Sequence, residues 1–330
     1  MKIGWFDAQD WEKEYVAGKN LDFEVEFFEE SLTPENSEKA SEFDVLTVFV
    51  DSEVDETVLK DFNGKMVATR STGYDHIDTD YAEENSIAVT NVPEYGDNTV
   101  AEHTFGLILT LSRKIYSAIE KVEDGEFNHE GLRGRDLAGK KLGVIGTGSI
   151  GQKVIKMANG FDMEVIASDP YPDREAAEEL GYMYVSKDDL LEKADIITLH
   201  CPLTDSTRHM LSSGDFKKME DTIVVNTARG TLIDTDALIK ALDSGSVDCA
   251  GLDVLEDESF VRDDVKYLSE PDSSEAETVL EDHILIQRDD VLITPHNAFN
   301  SEEAMQRIVD TTLENIRRGR NIVNRPGRKN

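Results

Sequence analysis

The stretch KLGVIGTGSIGQ, residues 141–152, decides the fold of the chain. Its first half is apolar and predicts a buried strand, and its second half carries three glycines and opens a helical pattern. Glycines at this spacing between a strand and a helix are typical of a dinucleotide-binding turn. Gly146 permits the tight turn, Gly148 lets a pyrophosphate approach the backbone, and Gly151 lets the helix pack closely on the strand.

The residues around these glycines predict how the dinucleotide is held and which one it is. The start of the helix, with Thr147, Ser149 and Ile150, offers backbone amides to the phosphates. Asp169 closes the next strand, 18 residues past the last glycine, where a carboxylate accepts hydrogen bonds from an adenosine ribose and repels a 2′-phosphate. NAD is therefore favoured over NADP. Arg174 lies nearby and is able to accept a 2′-phosphate, so NADP stays an alternative.

Short apolar runs alternate with helical patterns along almost the whole chain. This alternation predicts an α/β fold with two doubly wound parallel sheets, each covered by helices. A long helix is predicted from about Asn98 to about residue 122, and another from Ser301 to Gly319. The predicted strands are MKIGWF (1–6), LDFEVEFF (21–28), DVLTVFV (44–50), KMVAT (65–69), IAVTNV (87–92), KLGVIG (141–146), MEVIAS (163–168), DIITLH (195–200), TIVVNTA (222–228), DCAGLDV (248–254) and VLITP (291–295).

Composition narrows the class of protein. A chain of 330 residues is long enough for two domains, and 39% apolar residues are enough for packed cores. It has 69 acidic and 34 basic residues, so a net charge of −35 argues against nucleic acid and anionic membrane as partners. The sequence has no stretch of 18 or more apolar residues, so no membrane span is predicted. We therefore expect a cytoplasmic protein, and the acidic surface suggests a halophilic one that works in a very salty cytoplasm.

Two polar residues follow predicted strands at positions suited to catalysis. Arg229 follows TIVVNTA and His296 follows VLITP. In an open parallel sheet, ligands bind at the carboxyl ends of the strands. Hydride transfer to a carbonyl needs a cation for the substrate and an acid for the carbonyl oxygen. An ion-paired surface arginine and a structural histidine are the alternatives, and it is the placement of both residues beside a dinucleotide fold that favours catalysis.

Seven segments in a fixed order resemble the D-isomer-specific 2-hydroxyacid dehydrogenases, and most closely their D-lactate dehydrogenase branch. They cover most of the chain. The segments are STGYDHID (71–78), NVPEYGDNTVAEHTFGLIL (91–109), GVIGTGSIGQ (143–152), LHCPLT (199–204), VVNTARGTLIDTDAL (224–238), GLDVLEDE (251–258) and ITPHNAF (293–299).

The resemblance implies the catalytic roles. Arg229 would bind the substrate carboxylate and carbonyl, to which its planar fork is suited. His296 would protonate the carbonyl oxygen in reduction and accept the proton in oxidation. Glu258 would hydrogen-bond His296 and stabilise its imidazolium form. Glu256 and Asp257 precede Glu258 directly, and only the family register selects the last of the three acids.

The resemblance also implies the binding residues. The backbone amides of Thr72 and Gly73 would hold the substrate carboxylate, Tyr95 would add a hydroxyl contact, and Phe299 would form a wall of the side-chain pocket. Asp253 would meet the nicotinamide carboxamide, with Pro202 and Thr227 lining the cofactor cleft. Three other histidines, His76, His103 and His200, are interpreted as structural. No constellation of site residues surrounds His129, His209 or His283, and no group has the spacing of metal ligands.

The family fold places a Rossmann NAD-binding domain, residues 99–298, inside a flavodoxin-like substrate domain formed by 1–98 and 299–330. The long helix from Asn98 resembles the family's dimer element, which predicts a homodimer. The implied reaction is reversible hydride transfer between NADH and a small 2-oxo acid, with pyruvate and D-lactate as the favoured pair. Hydroxypyruvate, glyoxylate and a branched 2-oxo acid are the alternative substrates. A remote alternative is an NADH-sensing binding protein without catalysis.

Overall fold

The computed structural model describes residues 1–256 and 282–324. The chain divides into two compact units, Met1–Tyr95 with Ser301–Asn330, and Gly96–Asn300. Each unit contains one parallel sheet, which confirms the predicted α/β class with two parallel sheets. None of the helices in the described part of the chain is long and apolar enough to cross a membrane.

The sheet of the first unit has five parallel strands in the order β2-β1-β3-β4-β5. Its central strand β3 is buried at every position, whereas the edge strand β2 alternates between exposed and half-buried residues, as its sequence pattern predicts. The strands are β1 (Lys2–Trp5), β2 (Glu24–Phe27), β3 (Val45–Val48), β4 (Met66–Thr69) and β5 (Ala88–Thr90).

Helices cover this sheet, and side-chain caps fix where several of them begin. Asp55 and Asp78 accept hydrogen bonds from the first-turn amides of α2 (Glu56–Asp61) and α3 (Thr79–Glu84), and Ser301 does the same for α11 (Glu302–Arg318). Gly319 ends α11 in the left-handed conformation, so both predicted boundary signals of this helix are confirmed. The helices are α1 (Asp10–Ala17), a 3-10 helix (Pro34–Glu42), α2 (Glu56–Asp61), α3 (Thr79–Glu84) and α11 (Glu302–Arg318).

The sheet of the second unit has seven parallel strands in the order β12-β11-β10-β9-β6-β7-β8. The strand order reverses at β6, which has β7 on one side and β9 on the other. Dinucleotides bind at such a reversal, outside the carboxyl ends of the strands. The strands are β6 (Lys141–Ile145), β7 (Glu164–Ser168), β8 (Met183–Tyr184), β9 (Ile196–Leu199), β10 (Thr222–Asn226), β11 (Val247–Leu252) and β12 (Val291–Ile293).

The helices of the second unit lie on both faces of this sheet, so its central strands β9 and β10 are buried throughout. The helices are α4 (Asp97–Ser112), α5 (Ile115–Glu123), α6 (Ser149–Gly160), α7 (Arg174–Leu180), α8 (Lys187–Lys193), α9 (Ser213–Phe216), a 3-10 turn (Gly230–Leu232) and α10 (Thr235–Ser244). Residues 282–286 add a helical turn before β12.

The predicted long helix from Asn98 to about residue 122 is wrong, because the chain breaks it into α4 and α5. Lys114 adopts a left-handed conformation with φ of 51° at the break. The carbonyl of Ser112 accepts a hydrogen bond of 2.7 Å from the N–H of Arg135. Gly134 lies so close that an added Cβ would be 2.3 Å from the Ser112 carbonyl oxygen. The connecting segment therefore ends α4 by a tertiary contact that no local pattern reveals.

Candidate active site

The glycine turn after β6 has the shape that a dinucleotide requires. Gly146 has φ of 94°, and an added Cβ would lie 2.6 Å from the His200 backbone, so only glycine fits there. A Cβ on Gly151 would lie 2.2 Å from the Gly146 carbonyl oxygen, which explains the close contact of α6 with the turn. Gly148 is exposed, and a Cβ there would meet nothing within 4 Å. The open side of the turn is therefore at Gly148.

The start of α6 fits a bound pyrophosphate. Within the described residues, no side chain caps this helix, and its first turn carries Ser149, which is exposed, and Ile150, which is half-buried. The first amides of a helix need acceptors, and an anion supplies them. Together with the open space over Gly148, this uncapped helix start suits the phosphates of NAD.

Thr147 and Asp169 are in direct contact. One carboxylate oxygen of Asp169 accepts hydrogen bonds from the Thr147 N–H at 2.8 Å and from its hydroxyl at 3.0 Å. The other oxygen accepts a bond of 2.8 Å from the Tyr171 N–H. Both donors of Thr147 are therefore used inside the protein, where they hold the Asp169 carboxylate.

Pro202 and Thr227 follow the neighbouring strands β9 and β10. Pro202 is exposed, and its carbonyl accepts a hydrogen bond of 2.7 Å from the Thr207 hydroxyl. Thr227 is buried, with its hydroxyl 3.0 Å from that of Thr104 on α4. Pro202 therefore follows the strand next to β6, where the strand order reverses, and Thr227 follows the strand after that.

Arg229 is presented by a short turn that Asn226 holds at both ends. The buried Asn226 side chain donates to the Arg229 carbonyl at 2.9 Å and accepts from the Ala228 N–H at 3.0 Å. The half-buried guanidinium donates to the Ala228 carbonyl at 2.8 Å. No carboxylate in the described part of the chain lies within 4.0 Å of it. With five N–H donors, this guanidinium retains capacity for an anionic ligand.

The turn that carries Arg229 touches the chain after β11. A Cβ on Gly230 would lie 1.8 Å from the Leu255 carbonyl oxygen, so the two backbones are in contact. The next residue, Glu256, forms a short hydrogen bond with His209 Nε2 and accepts another of 2.9 Å from the Thr235 hydroxyl. The His209 N–H in turn donates to the Thr231 carbonyl at 2.8 Å. Glu256 and His209 therefore brace the turn.

The predicted catalytic acid, Glu258, lies outside the described residues. Of the three consecutive acids, Glu256 is described, and its carboxylate is bonded to His209 and Thr235. The sequence does not reveal the partner of His209, because this partner, Glu256, lies 47 residues away along the chain. Only the three-dimensional fold brings this pair together.

His296 follows β12 in a left-handed conformation with φ of 50°. Its N–H lies 2.8 Å from the Asp253 carbonyl oxygen and 2.9 Å from that of Thr294. The imidazole is half-buried, and the ring of Phe299 meets it edge to face, with centroids 6.3 Å apart. The structure thus brings together two predicted site residues, His296 and Phe299. A non-glycine residue in this conformation needs support from its surroundings.

Asp253 provides that support. Its buried carboxylate accepts hydrogen bonds from the Thr294 hydroxyl at 2.5 Å and from the N–H groups of Asn297 and Ala298 at 2.8 Å each. His103 Nε2 lies 3.4 Å away. Burial acts to raise the pKa of Asp253, but the hydrogen bonds from His103, Thr294 and the two amides lower it below its usual value. Asp253 therefore anchors the loop on both sides of His296.

His103 is a residue whose importance the sequence did not reveal. The interpretation as a structural histidine on α4 leaves out its contacts with the His296 loop. Its Nε2 is 3.0 Å from the Thr294 hydroxyl, and Thr294 also bonds Asp253. The sequence pattern places His103 on a helix. It does not reveal the partners of His103, because these lie about 150 and 190 residues further along the chain.

Thr72 and Gly73 follow β4 in the first unit. The Thr72 hydroxyl donates to the Val92 carbonyl at 2.9 Å, and the Thr72 carbonyl accepts from Asn91 at 2.8 Å. Among residues 1–256 and 282–324, the N–H groups of Thr72 and Gly73 have no hydrogen-bond acceptor. The carbonyl of the third predicted substrate residue, Tyr95, accepts a bond of 2.8 Å from Arg307. Two adjacent amides are therefore available for an anion.

Arg70 lies directly before this loop and is fully buried. Its guanidinium is 3.2 Å from the buried Glu12 and donates to the Thr47 hydroxyl and the Asp7 carbonyl at 2.8 and 3.0 Å. Desolvation lowers the pKa of Arg70, and the charge of Glu12 opposes this effect. This paired cation fixes the carboxyl end of β4, from which the loop with Thr72 and Gly73 starts.

A family model described as "D-isomer specific 2-hydroxyacid dehydrogenase, NAD binding domain" matches residues 105–298. The chain belongs to this family. The D-lactate dehydrogenase of Escherichia coli is 37% identical over an alignment of 327 residues that covers 96% of each chain. The apo-structure of that enzyme matches with a TM-score of 0.84 and 34% identity, covering 98% of this chain and 99% of the other.

Other members of the D-2-hydroxyacid dehydrogenase family agree with this assignment. The D-lactate dehydrogenase of Aquifex aeolicus complexed with NAD and lactic acid matches with a TM-score of 0.82 and 30% identity over 96% of this chain and 94% of that one. The aromatic 2-oxoacid reductase of Clostridium sporogenes is 38% identical over 299 residues, 88% of this chain and 87% of the relative. The predictions of NAD as cofactor and of an NAD-dependent oxidoreductase that acts on CH–OH groups are confirmed for the family to which the chain belongs.

Proposed function

We propose that the protein reduces a small 2-oxo acid to the D-2-hydroxy acid, with pyruvate and D-lactate as the favoured pair. The observation that carries this proposal is Arg229. A half-buried guanidinium stands after β10 with no carboxylate of the described residues within ion-pair distance, in a chain with 69 acids. A guanidinium without an ion-pair partner among these residues is suited to an anionic ligand, and its planar fork geometry favours a carboxylate.

His296 is proposed to exchange the proton with the oxygen of the substrate carbonyl. Imidazole is a suitable acid and base near neutral pH, and Asp253 holds the loop that presents it. Glu258 is proposed as the partner that favours the imidazolium form. NAD, when bound, supplies or accepts the hydride.

The substrate carboxylate is proposed to contact Arg229 and the amides of Thr72 and Gly73. The absence of acceptors for these two amides among the described residues supports this role. Tyr95 is proposed to add a hydroxyl contact. Phe299, whose ring packs against His296, is proposed as a wall for the substrate side chain.

NAD is proposed to bind along the carboxyl edge of the second sheet. The glycine turn with Gly146, Gly148 and Gly151 and the first turn of α6, with Ser149 and Ile150, would hold the pyrophosphate, and Thr147 would act in cofactor binding by holding Asp169. Asp169 would accept the ribose hydroxyls, and Pro202, Thr227 and Asp253 would line the cleft. We accordingly assign residues 99–298 to the NAD-binding domain and residues 1–98 and 299–330 to the substrate domain; the family model over 105–298 supports the first assignment.

A substrate panel separates this function from its alternatives. The decay of NADH absorbance would be followed with pyruvate, hydroxypyruvate, glyoxylate, a branched-chain 2-oxo acid and phenylpyruvate, in dilute and in molar KCl. The aromatic acid is included because one relative is an aromatic 2-oxoacid reductase. The highest kcat/KM is expected for pyruvate. Tight NADH binding without turnover of any acid would favour the non-catalytic NADH sensor.

Replacement of His296 by Ala tests the proton donor. We expect kcat to fall by about 10²- to 10⁴-fold, which is the usual contribution of a general acid or base. The Kd of NADH, measured by fluorescence titration, should remain nearly unchanged. His129→Ala is the matched control, because His129 is exposed on the segment after α5. A fully active His296→Ala enzyme would refute the assignment.

We also propose a homodimer formed through α5. This nine-residue helix has no buried residue, and its apolar side chains form one stripe with 43–54% of each exposed: Ile115, Tyr116, Ile119 and Val122. A short helix with an uncovered apolar face is marginally stable alone. A second copy of the stripe would cover it. A cytoplasmic location and adaptation to high salt remain our proposals from composition.

A further inference from the structure

A row of hydroxyl groups leads from the buried Tyr182 to the carboxylate of Asp169. The Tyr182 and Tyr184 hydroxyl oxygens are 3.0 Å apart, and the Tyr184 oxygen is 2.7 Å from the hydroxyl of Thr147. The Thr147 hydroxyl donates to Asp169 at 3.0 Å. Tyr184 lies in the short edge strand β8, and Tyr182 directly precedes this strand. The sequence pattern did not predict β8.

The chemistry of the groups fixes the direction of every hydrogen bond in this row. An ionised carboxylate only accepts, and a hydroxyl has one hydrogen to donate. Because the Thr147 hydroxyl donates its one hydrogen to Asp169, its oxygen must accept a hydrogen bond from the Tyr184 hydroxyl. Tyr184 then accepts from Tyr182 and from the Asp173 N–H at 3.0 Å. Burial raises the pKa of Tyr182, as does its bond to Tyr184, which keeps the donor at the start of the row protonated.

Tyr184 thereby joins three segments around the proposed ribose site. It contacts the glycine turn through Thr147 and the start of α7 through Asp173, whose carboxylate caps that helix. The first residue of α7 is Arg174, an exposed cation that is able to attract a 2′-phosphate. The position of the Asp169 carboxylate relative to Arg174 therefore depends on this hydroxyl.

We propose that Tyr184 is a positioning residue for nucleotide choice: acting through Thr147, it fixes the Asp169 carboxylate where it binds the NAD ribose and repels the 2′-phosphate of NADP. This rests on the proposed role of Asp169. A hydrogen-bonded row is stiffer than an isolated bond, because each bond polarises the next. When the row is broken, the Asp169 carboxylate keeps its bonds from the Thr147 and Tyr171 N–H groups but is no longer held by an oriented Thr147 hydroxyl. Its orientation is then less restricted, so the ribose meets a less well oriented acceptor and a 2′-phosphate meets less repulsion.

The experiment measures the Kd of NADH and of NADPH by fluorescence titration in molar KCl, without any 2-oxo acid. The readout is the ratio of the NADPH constant to the NADH constant. Tyr184→Phe should lower this ratio about three- to ten-fold, the effect of one hydrogen bond. Tyr81→Phe, a half-buried tyrosine in the other unit, is the matched control and should leave the ratio unchanged.

Two further variants test whether Tyr184 acts through Thr147. Thr147→Val should lower the ratio at least as far as Tyr184→Phe, and the double variant should lower it no further, since both break the same row. An unchanged ratio in Tyr184→Phe, an equal loss of both nucleotides, or fully additive effects would overturn the proposal. Asp169→Ala distinguishes a failure of the proposed Asp169 role from a failure of the proposed Tyr184 role. If it does not lower the ratio, the role of Asp169 itself is wrong; if it does and Tyr184→Phe does not, only the positioning role fails.

Discussion

His200, directly after β9, shows how the desolvation of one side chain sets a pH response. Desolvation lowers the pKa of its imidazole to about 3, and Nε2 is 2.9 Å from the Thr198 hydroxyl. The folded protein therefore keeps this histidine neutral at pH values at which the unfolded chain protonates it. Burial also lowers the pKa of His76 in the other unit. Both residues destabilise the folded state in acid.

The sign and size of the effect follow from proton linkage. Between about pH 6.5, the value for an unfolded histidine, and pH 3, the unfolded chain binds a proton at His200 that the folded chain does not bind. The free energy of unfolding therefore falls as the pH falls, by about 1.4 kcal/mol per pH unit for this residue. His200→Gln should show a smaller slope between pH 6 and 4 in urea titrations. The exposed His129→Gln should keep the wild-type slope; equal slopes for His200→Gln would contradict the prediction.

At the same scale, the sequence offers candidates for the site residues but does not predict the partners that hold them. The resemblance selects Arg229, His296 and Asp253, since motifs keep these residues in register. The contacts that hold them come from elsewhere in the chain, as with His103 on Asp253, His209 on Glu256 and Tyr184 on Thr147. Each of these partners lies at least 37 residues away from the residue it supports, so only the fold brings them together.

At the scale of elements, strands with continuous apolar runs were predictable, and elements defined by tertiary contacts were not. The two-residue strand β8 has no such run, and Met183 is 67% exposed. The predicted long helix is divided into α4 and α5 where the Arg135 N–H donates a hydrogen bond to the Ser112 carbonyl. A local pattern predicts where a helix is able to form, whereas a distant donor decides where this one ends.

The apolar stripe of α5 yields a prediction at this scale. Ile119→Glu places a charge in the middle of the stripe, and the cost of burying that charge should convert the proposed dimer into a monomer. Sedimentation velocity over a range of protein concentrations measures the change. Ile322→Glu, which alters a comparably exposed isoleucine in the first unit, should leave the dimer intact. A monomeric wild-type protein would rule out the interface.

At the scale of the whole molecule, acidic residues outnumber basic ones by 35. Several acids have local tasks, such as the helix caps Asp173 and Asp234, and single arginines each neutralise two carboxylates. Arg135 pairs with Asp221 and Asp248, for example. The remaining excess of like charge repels itself and destabilises the compact state at low ionic strength.

We therefore expect the free energy of unfolding to rise with KCl. The screening length shortens from about 10 Å at 0.1 M salt to about 3 Å at 1 M, so most of the stabilisation should occur over that range. Thermal and urea denaturation in KCl would be compared with sucrose at matched osmolality, which lacks ions. Full stability and activity in dilute buffer, or an equal effect of sucrose, would contradict adaptation to salt.

The contact between Gly230 and Leu255 has a mechanical consequence. Two backbones meet there with no side chain between them that is able to compress or rotate. A displacement of the chain after β11 by a few tenths of an ångström must therefore be transmitted to the turn that carries Arg229. We therefore expect the carboxylate anchor proposed for the substrate and the segment that leads towards Glu258 to move together when a ligand displaces either of them.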